Sequence, residues 1–223
     1  IVGVDGAALT IVDGSSLGAS GFTFPSASKV ILLRGLTIRN CSAALLGGGI
    51  NCSNSSVTVD RCVIENCHSP YYGGGMAVIN ASPAITNCVF LGNSAAYDGG
   101  GIYLSSSASI LDSCVFHGNA AVGNGGGIGL INGTPQFRNC TANANTAGTN
   151  GGGVYIGASG NPILARCLVT SNTSGGGIYG AAGAGATIAC CDVYGNGANY
   201  GGSIADRTGA DDNISEDPLY CGP

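Results

Sequence analysis

Apolar residues alternate with polar or small residues in three short segments that repeat about every 26 positions along this chain of 223 residues. Alternation with a period of two is typical of strands that bury one face. The first segment contributes the column Ile50, Met76, Ile102, Ile128, Val154, Ile178 and Ile204. The second contributes Val59, Ile85, Leu111, Phe137, Leu164 and Ile188. The third contributes the pairs Cys62/Ile64, Cys88/Phe90, Cys114/Phe116, Cys140/Ala142, Cys167/Val169 and Cys191/Val193.

A triple glycine separates the repeats at nearly constant spacing. The triplets begin at Gly47, Gly73, Gly99, Gly125, Gly151 and Gly175. A fixed period of this size indicates a solenoid, whose units bury their apolar faces only by stacking. Three strands and three turns per repeat predict an all-β fold, a parallel β-helix of about eight coils in one domain, 1–223. Residues 1–28 would form degenerate coils or a cap, 29–205 the regular repeats, and 206–223 an acidic cap or linker.

The turns between strands carry asparagines and glycines in positions that fit tight corners. Asn87, Ser113 and Asn139 end the connection between the second and third strands, where a left-handed backbone is expected. Glycines such as Gly99, Gly125 and Gly151 allow turns that a Cβ would obstruct. After the third strand we expect a ladder of stacked amides. Its predicted members are Asn40, Asn66, Asn93, Asn119, Asn145, Asn172 and Asn196.

Outward positions also support this register. Asp112 precedes Arg138 by one period, and Arg39 precedes Glu65 by one period, so opposite charges are expected on adjacent coils.

Eleven cysteines require a separate interpretation. The column that contains Cys88, Cys114 and Cys140 points inward, where cysteine acts as a small hydrophobe, and we expect mostly free thiols there. Cys41 and Cys67 lie one period apart in a predicted turn and are candidates for a disulfide. Cys190 and Cys221 form a second candidate pair.

Composition narrows the possible functions. The net charge is −5, with seven basic residues, so no basic stripe predicts binding to nucleic acid. No apolar run approaches the roughly 18–20 residues of a membrane span. The first residue is not methionine, and we expect a processed or excised chain. Few lysines and many cysteines favour an extracellular or cell-surface location.

Two segments resemble a known group of proteins. Phe90-Leu91-Gly92-Asn93 and Phe116-His117-Gly118-Asn119, each followed by Gly-Gly-Gly-Ile, resemble the repeat motifs of polymorphic outer-membrane proteins. They are also similar to the wider set of bacterial surface proteins with a right-handed parallel β-helix. The resemblance covers roughly residues 20–205 and implies a right-handed coil, secretion, surface display and adhesion.

Candidate chemistry is sparse. Glycoside hydrolysis needs paired carboxylates, and Asp60, Asp98 and Asp112 of the middle repeats are not expected to share a column. The sequence therefore predicts no catalytic residues and no required cofactor. Calcium could bind the acidic C-terminal cluster through Asp211, Asp212 and Asp217, although a solvated charged cap explains the same residues.

An outward row contains Tyr103, Tyr155 and Tyr179, which could form an interaction face or could be ordinary surface tyrosines.

The leading hypothesis is a non-catalytic extracellular rod for surface display, adhesion or fibre assembly. Its partners would be further copies joined head to tail, through an apolar edge at Ile1-Val2-Gly3-Val4, or a glycan or cell-surface ligand. The alternative is a protein that binds or degrades polysaccharide.

Overall fold

Successive coils of the chain stack in parallel, so that each strand pairs with the equivalent strand of the coil before and after it. The computed structural model describes residues 1–15, 18–24, 26 and 31–218. Paired residues lie 26 positions apart over most of the stack, as in the pairing of Ile85 with Val59 on one side and Leu111 on the other. The predicted all-β parallel helix with three main strands per coil is confirmed.

Three long sheets run along the stack, two with eight strands and one with seven. Sheet 1 follows the glycine triplets and contains Phe22–Phe24, Ile50–Ser53, Met76–Ile79, Ile102–Ser105, Ile128–Gly133, Val154–Gly160, Ile178–Gly180 and Tyr200–Gly202. Sheet 2 contains Ile31–Arg34, Val57–Asp60, Ala84–Thr86, Ile110–Asp112, Gln136–Arg138, Ile163–Ala165 and Thr187–Ala189. Sheet 3 contains Ile11–Asp13, Thr37–Arg39, Val63–Glu65, Val89–Leu91, Val115–His117, Thr141–Asn143, Leu168–Thr170 and Asp192–Tyr194.

A fourth, four-stranded sheet lies between sheet 3 and the glycine triplets, and the sequence did not predict it. Its strands are His68–Ser69, Ser94–Ala95, Ala120–Ala121 and Thr146–Ala147. Two residues are too few to show a period-two pattern, which explains why the alternation of apolar residues did not indicate them. Within the described residues no helix is long and apolar enough to cross a bilayer.

Inward side chains of equivalent coils stack on one another to form a continuous core. Phe90 and Phe116 are fully buried, and their ring centroids lie 4.8 Å apart at an interplanar angle of 10°. The column that contains these rings consists of Ile38, Ile64, Phe90, Phe116, Ala142, Val169 and Val193, each buried. Because each coil covers only its neighbours, the core is a row of such columns along the whole stack.

The glycine triplets are required by the backbone. Gly99, Gly125 and Gly151 have φ of +72°, +68° and +64°, a conformation that other residues adopt at a cost. A Cβ at Gly99 would lie 2.6 Å from the carbonyl oxygen of Ile102. The chain therefore turns into sheet 1 where a side chain has no room.

A ladder of buried amides, here called the asparagine ladder, closes the corner after sheet 3. In each step the Oδ1 of one asparagine accepts hydrogen bonds from the backbone N–H and the Nδ2 of the asparagine one coil earlier. For Asn119 and Asn93 both distances are 3.0 Å. The Nδ2 of Asn119 also donates to the carbonyl of Phe90 at 2.9 Å. The ladder runs through Asn93, Asn119, Asn145, Asn172 and Asn196.

The ladder begins later than the sequence predicted. Asn40 and Asn66 lie one position before the ladder column and have φ of 54° and 52°. They occupy the left-handed corner position that Gly92 fills in the next coil, where φ is 61°. Cys67 takes the ladder position instead, and its backbone N–H donates to Oδ1 of Asn93 at 2.9 Å. The prediction that Asn40 and Asn66 join the ladder was wrong by one residue, because asparagine suits both positions.

A second ladder, here called the cysteine ladder, closes the corner between sheets 2 and 3. It consists of Cys62, Cys88, Cys114, Cys140, Cys167 and Cys191, all buried free thiols. Each thiol from Cys88 onwards lies near a carbonyl of the preceding coil, as Cys114 does at 3.4 Å from the oxygen of Ile85. Thiols of adjacent coils contact one another along the column.

The predicted Cys41–Cys67 disulfide was wrong. Both residues are buried free thiols, and they occupy the first two steps of the asparagine ladder column rather than a loose turn. Sγ of Cys67 lies 3.7 Å from the carbonyl oxygen of Ile38, which copies the contact of an asparagine amide. Cys190 is an exposed free thiol, and its predicted partner Cys221 lies outside the described residues.

Charged residues on the outer faces keep the predicted register but not all the predicted pairs. Arg39 is in register with Glu65, yet its guanidinium forms an ion pair with Asp13 of the preceding coil at 2.7 Å. Asp112 is in register with Arg138, and its carboxylate accepts a hydrogen bond from Nδ2 of Asn139 at 2.9 Å. Long arginine side chains can reach either neighbouring coil, so the spacing alone does not choose the partner.

Candidate functional site

The outer face of sheet 2 carries the carboxylates that come closest to a catalytic pair. The paired strands align Asp60, Thr86 and Asp112 in one column. The expectation that Asp60 and Asp112 do not share a column was therefore wrong, because the two residues lie two full periods of the repeat apart. Two steps of about 4.8 Å separate them, close to the spacing of about 6.5–9.5 Å of an inverting carboxylate pair.

The surroundings of Asp60 do not suit a general acid. Its carboxylate is nearly buried and forms an ion pair with Arg34 at 2.8 Å. It also accepts hydrogen bonds from Thr86 at 2.8 Å and from Asn87 at 3.1 Å. Burial acts to raise the pKa of Asp60, but the bonds from Asn87, Thr86 and Arg34 outweigh it and hold the pKa below its ordinary value. Asp60 is therefore an ionised structural carboxylate.

Asp112 is held in the same protonation state. Hydrogen bonds from Asn139 and Ser113 hold the pKa of Asp112 below its ordinary value. A hydrolase pair needs one carboxyl group with a raised pKa that can deliver a proton. Both carboxylates of this column have a lowered pKa. Their spacing therefore resembles that of a hydrolase pair, but neither provides the raised pKa of a general acid.

The third predicted carboxylate, Asp98, is used at another corner. Its Oδ1 accepts hydrogen bonds from the backbone N–H of Asn124 at 2.6 Å and from the Nδ2 of Asn124 at 3.2 Å. This contact joins two adjacent coils. Asp98 therefore does not join the column of Asp60 and Asp112.

A shallow groove of about 470 Å³ lies on a different face of the molecule, over sheet 3. Its lining is formed by Val115, His117, Thr141, Asn143, Ala144 and Ser171. His117 supplies the titratable group of that lining, and its Nδ1 lies 2.8 Å from Oδ1 of Asn143. This groove and the carboxylate column are on separate faces, so these two features do not combine into an acid-lined cleft.

The predicted calcium residues lie at the C-terminal end of the stack. Asp211 and Asp212 are exposed and have φ of 52° and 58°, so they form a tight turn. The carbonyl of Asp211 accepts a hydrogen bond from the backbone N–H of Cys190 at 2.9 Å. Across the described part of the chain, no three His, Cys, Asp or Glu side chains are grouped to hold a metal ion. The structure therefore does not bring Asp211, Asp212 and Asp217 together as a site.

Asn213, inside the same acidic segment, has a structural role that the sequence did not indicate. It is buried, and its Oδ1 accepts a hydrogen bond from the backbone N–H of Cys191 at 2.9 Å. Its Nδ2 donates to the carbonyl of Ile188 at 2.8 Å. Asn213 therefore continues the cysteine ladder with an amide. The sequence would have indicated this role only if the residues of the last coil had been aligned with the cysteine column from Cys191 onwards.

The predicted tyrosine row is divided into two parts. Tyr155 and Tyr179 are half-buried neighbours with ring centroids 6.1 Å apart. Gly129 separates them from Tyr103, which is only 8% exposed. Burial, with smaller contributions from Tyr72 and Asp98, raises the pKa of Tyr103 to about 12. Tyr103 is therefore part of the packing of this face.

The more exposed tyrosines lie at the corner that precedes the glycine triplets. Tyr71 and Tyr97 are 42% and 51% exposed, and their rings are nearly parallel with centroids 5.7 Å apart. Tyr72 packs between this pair and Tyr103, with centroids 5.7 Å from Tyr97 and 4.6 Å from Tyr103. The interval of 26 residues between Tyr71 and Tyr97 is the signal that would have found the pair.

The N-terminal segment that was expected to offer a strand edge is paired within the chain. The backbone N–H of Gly3 donates to the carbonyl of Arg34 at 2.8 Å, and the N–H of Arg34 donates to the carbonyl of Ile1 at 3.1 Å. Residues 1–3 therefore cover the edge of the first strand of sheet 2.

Comparison with known proteins gives one match. A family model described as "Right handed beta helix region" matches residues 4–152. No curated protein and no solved structure matches the chain.

Proposed function

The chain belongs to the right-handed β-helix family, and on this premise we propose that it is a non-catalytic structural rod, located outside the cell or at its surface, that displays its lateral faces for adhesion. Proteins of this shape hold a rigid axis because each coil is fixed by its two neighbours. The role needs no cofactor and no catalytic residue.

The observation that carries the proposal is that the polar side chains described above form hydrogen bonds between neighbouring coils. Buried amides such as Asn119 bond coil to coil, and the carboxylates of Asp60 and Asp98 accept hydrogen bonds from neighbouring coils. A catalytic group needs a pKa matched to proton transfer. The carboxylates of the column on sheet 2 are instead kept ionised by structural contacts, which supports a mechanical role.

The test is a screen against acidic and neutral polysaccharides, with and without calcium, that measures new reducing ends and unsaturated sugar products. We expect no product with any substrate. The control is the double variant Asp60→Asn with Asp112→Asn. A product made by the native protein and lost in this variant would replace the proposal with a polysaccharide-degrading enzyme.

Location is tested separately, by fractionation of the source cells and by labelling intact cells with an antibody to the protein. The proposal expects the protein in the medium or on the cell surface. Protein confined to the interior of the cells would contradict it.

Adhesion to a glycan is the second version of this function, and Tyr155 with Tyr179 is the surface to test. These rings lie side by side on the outer face of sheet 1. We expect the variant Tyr155→Ala with Tyr179→Ala to lose binding on a glycan array if this face holds the ligand. Tyr194→Ala, on sheet 3, serves as the matched control.

Head-to-tail association of rods stays a prediction. Sheets that end in a strand offer backbone groups to a further strand. Sedimentation velocity over a range of concentrations measures this directly. Particles that lengthen in steps of one rod support association, and a single species at all concentrations counts against it.

A further inference from the structure

Tyr71 and Tyr97 form the most exposed ring pair of the described residues. Equivalent positions on adjacent coils place the two phenol rings nearly parallel, at 3°, with centroids 5.7 Å apart. Both side chains keep large exposed fractions, 42% and 51%. An oxidant in solution can therefore reach either phenol, and a radical formed on one ring has the other beside it.

We infer that this pair is a site of oxidative cross-linking, at which Tyr71 and Tyr97 join to form a dityrosine bridge between adjacent coils. The oxidant class is hydrogen peroxide acting through a haem peroxidase. Each phenol loses one electron and one proton, and the two phenoxyl radicals then form a carbon–carbon bond between their ortho carbons. Both rings recover aromaticity by moving the ortho hydrogens to oxygen, while one peroxide is reduced to two waters.

Proximity favours this pair over coupling between molecules. Holding two reactants side by side makes their reaction effectively unimolecular. Exposed side chains change rotamer within nanoseconds, so the rings can close the remaining gap. In a dilute solution the neighbour on the adjacent coil is therefore encountered before a second molecule.

Other tyrosines are less suited to the reaction. Tyr103 is buried, and its raised pKa hinders the loss of the proton that accompanies oxidation. Tyr72 is tilted by 43° to Tyr97 and lies between its neighbours. The rings of Tyr155 and Tyr179 are parallel but 6.1 Å apart, and both are only half-exposed. The inference therefore assigns the bridge first to Tyr71 and Tyr97.

The position of the single methionine allows a sharp test. Met76 is the one methionine of the chain and lies between the two tyrosines. Cyanogen bromide cuts after methionine and separates 1–76 from 77–223. Met76 is fully buried, which protects its sulfur from peroxide in the folded protein.

The experiment treats dilute folded protein with peroxidase and limiting peroxide, reduces it with a thiol, and then cleaves it. A denaturing gel reports whether the halves stay joined, and mass spectrometry reports the loss of two hydrogens. We expect oxidised native protein to remain largely full-length after cleavage, with dityrosine fluorescence. Protein that was not oxidised separates into two fragments.

Variants identify the residues. Tyr71→Phe and Tyr97→Phe should each lose most of the joined product, whereas Tyr194→Phe should keep it. Circular dichroism before oxidation confirms that each variant is folded. Full separation of the halves in oxidised native protein, an equal yield in Tyr71→Phe, or a product that is mainly intermolecular would overturn the inference.

Discussion

The asparagine ladder and the cysteine ladder close two different corners of the same coils with the same pattern of contacts. In both, a side chain on one coil approaches the carbonyl of a residue on the coil before. For Asn119 that carbonyl belongs to Phe90 at 2.9 Å, and for Cys114 it belongs to Ile85 at 3.4 Å. A backbone N–H one coil earlier also donates to the side chain, as Asn93 does to Oδ1 of Asn119 and as Cys167 does to the sulfur of Cys191.

The ends of the ladders show that the position at a corner determines which contacts a side chain makes. The residue type determines how strong those hydrogen bonds are. Cys41 and Cys67 precede the asparagines in one column, and Asn213 follows the cysteines in the other. An amide supplies two donors and an acceptor, whereas a thiol is a weak donor and a weak acceptor. We therefore expect the amide steps to hold coils together more strongly than the thiol steps.

The largest effect is expected for Asn119→Ala. This change leaves the carbonyl of Phe90 and the N–H of Asn93 without these partners in the core, and each orphaned group costs about 1–3 kcal/mol. The free energy of unfolding in urea should fall by about 3–5 kcal/mol. Thr146→Ala, an exposed change on the same face, is the control and should be nearly neutral. An equal loss of unfolding free energy in Asn119→Ala and Thr146→Ala would contradict the stabilising role of the asparagine ladder.

A smaller loss is expected for Cys114→Ala. The thiol fills core volume and forms weak hydrogen bonds, so the variant should lose about 1–2 kcal/mol in the same assay. Cys190→Ala, at an exposed thiol, should leave the urea midpoint unchanged. A loss at Cys114 as large as that of Asn119→Ala would show that the thiols contribute as much as the amides.

The exchange of residue types should be tolerated at the start of the asparagine column, where Cys41 and Cys67 stand in place of amides. Cys67→Asn places an amide in the asparagine column one step before Asn93, the first native asparagine of the ladder. We expect stability within about 1 kcal/mol of the native protein, because the new Nδ2 can donate to the carbonyl of Ile38 that the thiol now contacts. Cys67→Ala should be less stable than Cys67→Asn. The reverse order would mean that this column accepts asparagine only from Asn93 onwards.

The smallest effect concerns pH. Neither ladder contains a carboxylate among its steps, so acid should act through residues such as Asp112, whose pKa is lowered in the folded state. Its contribution is present above the unfolded pKa of about 3.9 and is lost as pH falls through the lower folded value. Urea midpoints between pH 6 and pH 2 should fall less steeply for Asp112→Asn than for the native protein. Identical profiles would remove Asp112 from this account.

The fold could be predicted from the repeat length. The members of the two ladders could not all be predicted in the same way. Apolar columns at a fixed period specify which residues face inward, because a one-residue slip would turn every side chain to the other face. The same period does not distinguish Asn66 from Cys67, since both residues fit a corner. Only the backbone path shows which of them faces the core.

The candidate site was harder to predict because it depends on contacts across coils. The shared column of Asp60 and Asp112 follows from their spacing of two periods, but the bonds to Thr86, Asn87 and Arg34 that hold Asp60 ionised do not. The burial of Tyr103 depends on Tyr72, which comes from the corner of the preceding coil. The sequence shows which residues carry carboxylates or phenol rings. Which residue each of them contacts on a neighbouring coil depends on the length and direction of the side chains.

Native-state hydrogen exchange at the ladder amides tests the central claim most directly, which is that side chains at both corners bond one coil to the next. The measurement follows the backbone N–H groups of Asn93 and Asn119 in one ladder and of Cys114 and Cys167 in the other. We predict that all four are protected by orders of magnitude relative to exposed corners, with the asparagine amides the slower pair. Exchange of either pair at the rate of exposed loops would contradict it.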